Sequence, residues 1–581
     1  MIINPSIPEN LTTIAPVLTR YLSPLLRWFS DFVYDRLIPT ESKHLLCTLH
    51  NILDFSALEA ACADYHKLNG KGRSVSHTVP KLLRALLVKY LYDLSLRQSE
   101  ERIRYDLLVK WFVGYPVFAD PPDHSTLCRF ELYLIFHHPR LFFDTVLRQI
   151  DAAFPDDRTR PQIGDTFAMH ANAALESLIK RLRHTMQEML LAYQAAYPDA
   201  YVRLWSQLDK DALFGDVDEK TECYLSSEQR HQRLLMTVDA ALHCLHLIRQ
   251  TAASTEPVSS VQIWMNRLEK ILADELCLER DENGRLIHIA LLSKKKRGTY
   301  RICSATDPDA TIRNHGPDKK DFGYNISVAT TIDFIREIQA DTGSCPDATP
   351  IPQLLRSQIE HHDVCPDKFI YDMAAGRGKT AHLVEQTTNG HTQLVAKPMP
   401  GNRKEGRFAP EDFALSADGL ALTCPNDRTS RRKYRSGSGD GHNFRFMPPQ
   451  CLACPFWQPC RGKEESPTTH RDVFISAYRS QWNQLVAYSQ TEEFKLDMAL
   501  RPQVERVIAG VTLHNGGRHA HFRGQIKVDF QAKMCATSYN LKRWVSLLHG
   551  KRRKKRRRFG APVPSQSTLS VFKGEVGLTT A

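Results

Sequence analysis

Apolar residues recur at 82, 83, 86, 87, 90, 91 and 94 in KLLRALLVKYLYDLS, a spacing that predicts one buried face of a helix. Pro80 stands near its start, where a missing N–H is tolerated. RQSEERIRYDLLVKWFVG follows, with Gly114 as its C-cap. Pro121 and Pro122 then break the chain, and Asp123 or Ser125 can cap a new helix over PPDHSTLCRFELYL. Residues 1–155 therefore read as a helical N-terminal domain. Its short helices carry Arg97, Arg102, Arg104 and Arg129, which suit either a DNA-binding bundle or a packing domain with solvated arginines.

The pattern changes at PQIGDTFAMHANA, 161–173, a short and mostly apolar segment with Asp165 in its middle. Residues 174–213 and 259–278 look helical, so a helical insertion, about 174–285, interrupts whatever sheet begins at 161. Strand-like texture resumes at IHIALLS (287–293), YRICSA (300–305) and the β-branched GYNISVATTIDF (323–334). A helix near 351–361 leads to KFIYDMAAG, read as a strand, and TQLVAKP (392–398) is another. Strands followed by alternating helix and strand predict an α/β core over 156–398. From 399 to 500 the chain turns polar, Gly-rich and basic (PMPGNRKEGRFAPEDF, RRKYRSGSGDGH) and carries CLACPFWQPC, which reads as an insertion. Helical character returns over 501–550, and 551–581 is a basic tail.

The 581 residues suffice for several domains, and 42% hydrophobic with 24% charged residues is ordinary for a soluble globular protein. No apolar run approaches the length of a membrane span, and MIINPSIPENL lacks the basic-then-apolar layout of a signal peptide, so the cytoplasm is the expected compartment. The net charge is +12; KRRKKRRR at 551–558 supplies eight positive charges and leaves +4 elsewhere. A basic chain of this kind favours polyanions, nucleic acid above all.

FIYDMAAGRGKT (369–380) ends in GKT and so invites comparison with a phosphate-binding loop. That loop needs G-x-x-x-x-G-K-[ST], and the position of its first glycine holds Met373. What remains is a carboxylate, Asp372, after an apolar strand. Asp165 and Glu505 (in LRPQVERVIAG) join it as candidates, 207 residues before and 133 after. Carboxylates so far apart converge only through a fold, and parallel strands gather side chains at their carboxyl ends. Such a set can hold a pair of Mg²⁺ ions for phosphoryl transfer. Each also has a plainer reading: a turn or helix cap for the aspartates, and an i−4 ion pair with Arg501 for Glu505. Glu492, Glu493 and Asp497 are rival third acids, ranked below Glu505.

Of fourteen cysteines, ten are scattered singly, which suits a reducing compartment. Cys424, Cys451, Cys454 and Cys460 are spaced C-x26-C-x2-C-x5-C. The C-x2-C pair can grip a metal ion that two distant cysteines complete, and structural zinc is the first reading. An iron–sulfur cluster also suits four thiolates, and packed or free cysteines are the remaining alternative. His442 and His470 are spare ligands.

These motifs, in this order, resemble insertion-sequence transposases of the DDE type from about residue 75 to 545. PDHSTLCRF is similar to the stretch preceding that family's catalytic core, and IGDTFAMHANA to its first-Asp strand. TDPDATIRN with GYNISVA resembles its middle strands, and FIYDMAAG its second-Asp strand. LRPQVERVIAG followed by GRHAHFRGQIKVDFQAKMCATSYNLKRW resembles its third-acid helix and continuation. Relatives with an insertion before the third acid carry a similar Cys-rich stretch. The resemblance implies a ribonuclease-H-like mixed sheet with Asp165, Asp372 and Glu505 as ligands of Mg²⁺ (or Mn²⁺). It implies an enzyme that binds the terminal inverted repeats of its own element, cuts the strands and joins them to target DNA. It further implies double-stranded DNA as partner, a homodimer on that DNA, and a bacterial, nucleoid-associated location. The alternative is a transposase-derived DNA-binding protein that has lost catalysis. Some relatives carry Tyr-x2-Arg-x3-Glu-x6-Lys around the third acid. Arg501 fits that pattern, but Met498 and Thr512 stand at its Tyr and Lys positions. The phosphate contacts that relatives make there are then either missing or supplied by Arg518 and Arg523, and Arg129 and Arg501 are the other candidates for contact with DNA. Thr166 stands where Gly is more usual.

Overall fold

The computed structural model describes residues 11–68, 77–216, 219–251, 258–280, 286–293, 296–298, 300–314, 320–399, 407–451, 454–461 and 469–558. The tail beyond 558 lies outside them, and KRRKKRRR is described only as backbone, the last turns of the helix Gln525–Arg558.

The central sheet has six strands: β1 Gln162–His170, β2 Thr311–Asn314, β3 Lys320–Thr330, β4 Ile335–Thr342, β5 Lys368–Ile370 and β6 Gln393–Val395. Across the sheet they run β4-β3-β1-β5-β6, and β2 pairs with the start of β3. β3 is antiparallel to both β1 and β4, whereas β5 is parallel to β1 and β6 to β5. β3 alone therefore runs against its four neighbours in that order.

Both faces of the sheet are covered, which is why its strands read as apolar runs rather than alternations. Ile163, Phe167, Met169, Ile370 and Val395 join the main core. On the other face Phe369, Tyr371 and Leu394 pack with Leu354, Leu355 and Val384 of the helices Ile351–His362 and Gly378–Thr387. Gly164 lets β1 and β5 close up: a Cβ there would lie 2.6 Å from Phe369 Cζ and 2.7 Å from Tyr371 Cδ2.

The helix Gln525–Arg558 is buried on nearly every side between 530 and 541. Its polar side chains serve the open edge of β4. Asn540 bonds both the N–H and the carbonyl of Ile335, Asp529 accepts from Ala340 N, and Lys533 donates to the Ile338 carbonyl. An unpaired strand edge is thereby satisfied by side chains instead of another strand.

The N-terminal helices pack on the same long helix. Val79–Leu91 has Pro80 in its first turn, Gly114 closes Leu107–Val113 in the left-handed region (φ 89°), and Asp123 caps His124–His137 by accepting from Thr126 N at 2.6 Å. Leu82, Leu86, Phe130, Ile326, Val507 and Met534 belong to one continuous core, so no core boundary falls at residue 155. Buried within it, Lys89 Nζ meets Glu131 Oε1 at 2.6 Å.

The helical insertion has its own core, built from Leu178–Ala196, Ser227–Thr251 and Ser259–Glu275. Two expected core strands belong elsewhere. IHIALLS contributes Leu286–Leu291, which pairs with Leu276–Arg280 as a separate hairpin, and YRICSA forms no strand. Ile289 and Ile302 are buried in the insertion's core, so the insertion runs past 285 to about 302. Apolar alternation predicts a strand but does not choose its sheet. Between 407 and 476 lies a small β unit whose main sheet is Lys433–Arg435, Gly441–Phe446 and Arg471–Ser476. Among the described residues no helix is long and apolar enough to cross a membrane.

Candidate active site and cysteine cluster

Register places the first two acids together. Ile163 of β1 lies beside Ile370 of β5 in the parallel pair, and Asp165 and Asp372 each stand two residues further on. In parallel strands that is the same level and the same face. Asp372 has left the strand ladder: its backbone is still extended, but its Oδ1 accepts from Ala374 N at 2.9 Å and caps a short turn. The plainer reading of Asp372 as a cap is therefore correct for one oxygen. The GKT of 378–380 opens the helix Gly378–Thr387.

Glu505 arrives on the helix Gln503–His514. Val504, Val507 and Val511 form the seam buried against the main core, so Glu505 falls at the rim. Its side chain is 62% exposed, whereas that of Asp165 is 14% exposed. Arg501 links them. Its guanidinium donates to Asp165 Oδ2 at 2.8 Å and to Glu505 Oε1 at 2.7 Å. The i−4 pair is thus present and extends to the first acid.

Burial pushes the Asp165 carboxyl up to about 6. Arg501 and the Thr166 N–H oppose that, and the nearby charges of Glu505 and Asp372 add to it. Three carboxylates set against one guanidinium leave an anionic cluster, which a divalent cation would neutralise. Among the described residues no group of three or more His, Cys, Asp or Glu side chains is placed to hold a metal ion. Arg501 bonds Asp165 and Glu505 and also feels the charge of Asp372.

The rival acids are engaged elsewhere. Glu493 and Asp497 both bind Lys368 at the opposite end of β5, at 2.5 and 2.8 Å, and Glu492 pairs with Lys495. Of the arginines expected to meet DNA, Arg501 is at the acids. Arg518 and Arg523 flank a segment running beside the far end of β1: His170 N donates to the Arg518 carbonyl, and Arg523 Nε donates to that of Asn172. Arg129 is exposed on the N-terminal helices and donates to Thr126 Oγ1. Arg102 and Arg104 are tied to Asp106, Glu100 and Asp120, which reduces what they offer a polyanion.

One pairing has no signal in the sequence. Buried Arg313 donates to Thr166 Oγ1 at 2.6 Å and to Asp347 at 3.0 Å, so the unusual threonine after Asp165 has a partner on the opposite face. TIRN marks only a strand, and nothing in its pattern singles out Arg313.

Cys424, Cys451, Cys454 and Cys460 are free thiols lining one small apolar cavity together with Arg461 and Arg471. Burial raises the Cys451 and Cys460 thiols, the neighbouring sulfurs raise them further, and Arg471 pulls both down. Four convergent sulfurs beside two cations fit the net negative charge of a tetrathiolate metal site. Among the described residues no group of three or more His, Cys, Asp or Glu side chains is placed to hold a metal ion, these four thiols included.

Comparison with known families bears on both ends of the chain. Residues 32–131 match a transposase domain (DUF772), and residues 423–545 match a transposase DDE domain, which includes the four cysteines and Glu505. Two such matches in one chain support an insertion-sequence transposase of the DDE type. Neither a curated protein nor a solved structure matches the chain.

Proposed function

We propose that this chain is a DNA transposase that binds the terminal inverted repeats of its own element and catalyses metal-dependent strand cleavage and strand transfer. The observation that carries the proposal is the convergence of Asp165, Asp372 and Glu505 from two adjacent parallel strands and a helix. The strand order, with only the second strand of the five reversed, supports a ribonuclease-H-like core. Asp165, Asp372 and Glu505 would hold Mg²⁺ or Mn²⁺, which when bound activates a water or 3′-hydroxyl and stabilises the leaving oxygen. Asp165 serves as ligand in its ionised form, and Arg501 would have to release both carboxylates. The freed guanidinium then stands beside the site, free to meet a DNA phosphate. The four cysteines would hold structural Zn²⁺, which has no open position and takes no part in the chemistry. A dimer holding both element ends suits such a reaction.

The test is excision in cells, with the gene's flanking DNA placed around a marker. Excision by the wild type and none by Asp372→Asn is expected. Equal marker loss with both proteins removes Asp372 from the site. DNA binding without excision by either protein favours a chain that has lost catalysis.

A further inference from the structure

RRKYR, residues 431–435, is exposed at every position, and its Lys433–Arg435 is the edge strand of the small sheet in the Cys-rich unit. Among the described residues, Arg431, Arg432, Lys433 and Arg435 have no carboxylate partner within ion-pair distance. Arg432 touches Met447 Sδ at 3.2 Å and Lys433 donates to the Gly419 carbonyl at 2.8 Å, interactions that leave both charges uncompensated. Asp418 feels Arg431 only through space and is already held by Ser416 and Leu420 N.

The ridge is fixed relative to the acids. After Arg435 the chain turns through Asp440, whose carboxylate binds Lys379 at 2.8 Å and whose carbonyl accepts from Ala477 N. Lys379 opens the helix that follows Asp372. At its start Gly378 is packed so tightly that a Cβ would lie 2.2 Å from the Tyr478 carbonyl. Two more exposed cations, Arg377 and Lys397, stand beside the turn that follows Asp372, without carboxylate partners among the described residues. Gly376 is pressed on the Lys397 carbonyl, where a Cβ would lie 2.0 Å away. The positive track thus starts at the Asp372 turn and continues outward along the Cys-rich unit.

We propose that this track is a binding surface for the phosphate backbone of DNA leading away from the candidate active site. The proposal rests on the transposase reading above. Residues 431–435 span at most about 13 Å when extended, no more than about four base-pair steps. Tyr434 turns aside to bond Asp472 together with Arg445, so it does not interrupt the row of cations. Held this way, the Cys-rich unit is a clamp for the DNA beyond the cut.

The test compares the full-length protein with the triple variant Arg431→Ala, Arg432→Ala, Arg435→Ala on duplexes cut from the DNA flanking the gene. Binding is followed by anisotropy from 50 to 300 mM salt, roughly spanning the range where counterion release is measurable. The slope of log K against log salt should fall in magnitude by about 0.9 for each phosphate that is no longer neutralised, so by two to three in all, roughly. A matched triple lysine variant should keep the wild-type slope. An unchanged slope in the alanine variant, with melting temperature also unchanged, overturns the track. So does an unchanged slope with new self-association, because the cations would then only guard a strand edge. A wild type that binds no duplex overturns the transposase reading itself.

Discussion

One guanidinium, that of Arg501, bonds two candidate metal ligands at once, Asp165 Oδ2 at 2.8 Å and Glu505 Oε1 at 2.7 Å. The interaction crosses 336 residues of sequence on one side and four on the other. It makes the arginine an internal counter-ion, which a divalent cation would have to displace on the function proposed above.

Arg501→Ala should therefore tighten Mn²⁺ binding to the DNA-free protein at pH 8 severalfold, read by calorimetry. Cleavage of DNA should nonetheless weaken, because the guanidinium no longer reaches a phosphate. Weaker Mn²⁺ binding in the variant would show that Arg501 supports the ligands instead of competing with the ion.

Asp165 carries a pH signature. Its folded carboxyl titrates at about 6, above the ordinary 3.8. The stability linked to its proton is full below pH 4 and is lost as pH rises through 6. The loss amounts to about 3 kcal/mol at neutral pH. Asp165→Asn should raise the melting temperature of the metal-free protein at pH 8 by several degrees and change it little near pH 4. A fall at pH 8 would contradict this.

Gly164→Ala pushes a methyl into the Phe369 and Tyr371 rings. Overpacking of this kind costs about 1–3 kcal/mol. Because those rings lie on the strand that leads to Asp372, cleavage should fall more than stability alone explains. Thermal melts and cleavage rates measured on the same preparation test it, and a stable, fully active variant would contradict the close strand packing.

The cysteine cavity predicts stoichiometric zinc in the purified full-length chain, lost in Cys454→Ser together with a drop in melting temperature. Metal analysis decides it. Iron with acid-labile sulfide would assign a cluster instead, and absence of both metals would leave the four thiols as packing.

Helix faces and caps were legible because each is local: the 82–94 periodicity, Pro80, Gly114 and Asp123 all act within a few residues. The strand carrying Asp165 and the one leading to Asp372 were legible for the same reason. Sheet membership was not, and Leu286–Leu291 joined a hairpin in the insertion. The continuous core joining the N-terminal helices to the sheet was equally hidden, since it depends on a helix more than 500 residues from the start. The three acids could be nominated from position and family resemblance. The dual role of Arg501 and the Arg313–Thr166 bond needed coordinates, because both arise from packing across distant segments.

The most direct measurement is nicking of a labelled duplex carrying one end of the flanking DNA, with Mg²⁺ present or removed. Asp165→Asn, Asp372→Asn and Glu505→Gln are assayed beside the wild type, with DNA binding followed in parallel. Mg²⁺-dependent nicking at the element end is expected of the wild type. Each single variant should lose roughly a hundredfold or more while binding persists, since removing even a group that orients a metal ligand costs about 10–100-fold. Nicking that survives the loss of any of these carboxylates, or that proceeds without divalent metal, would contradict the three-acid site.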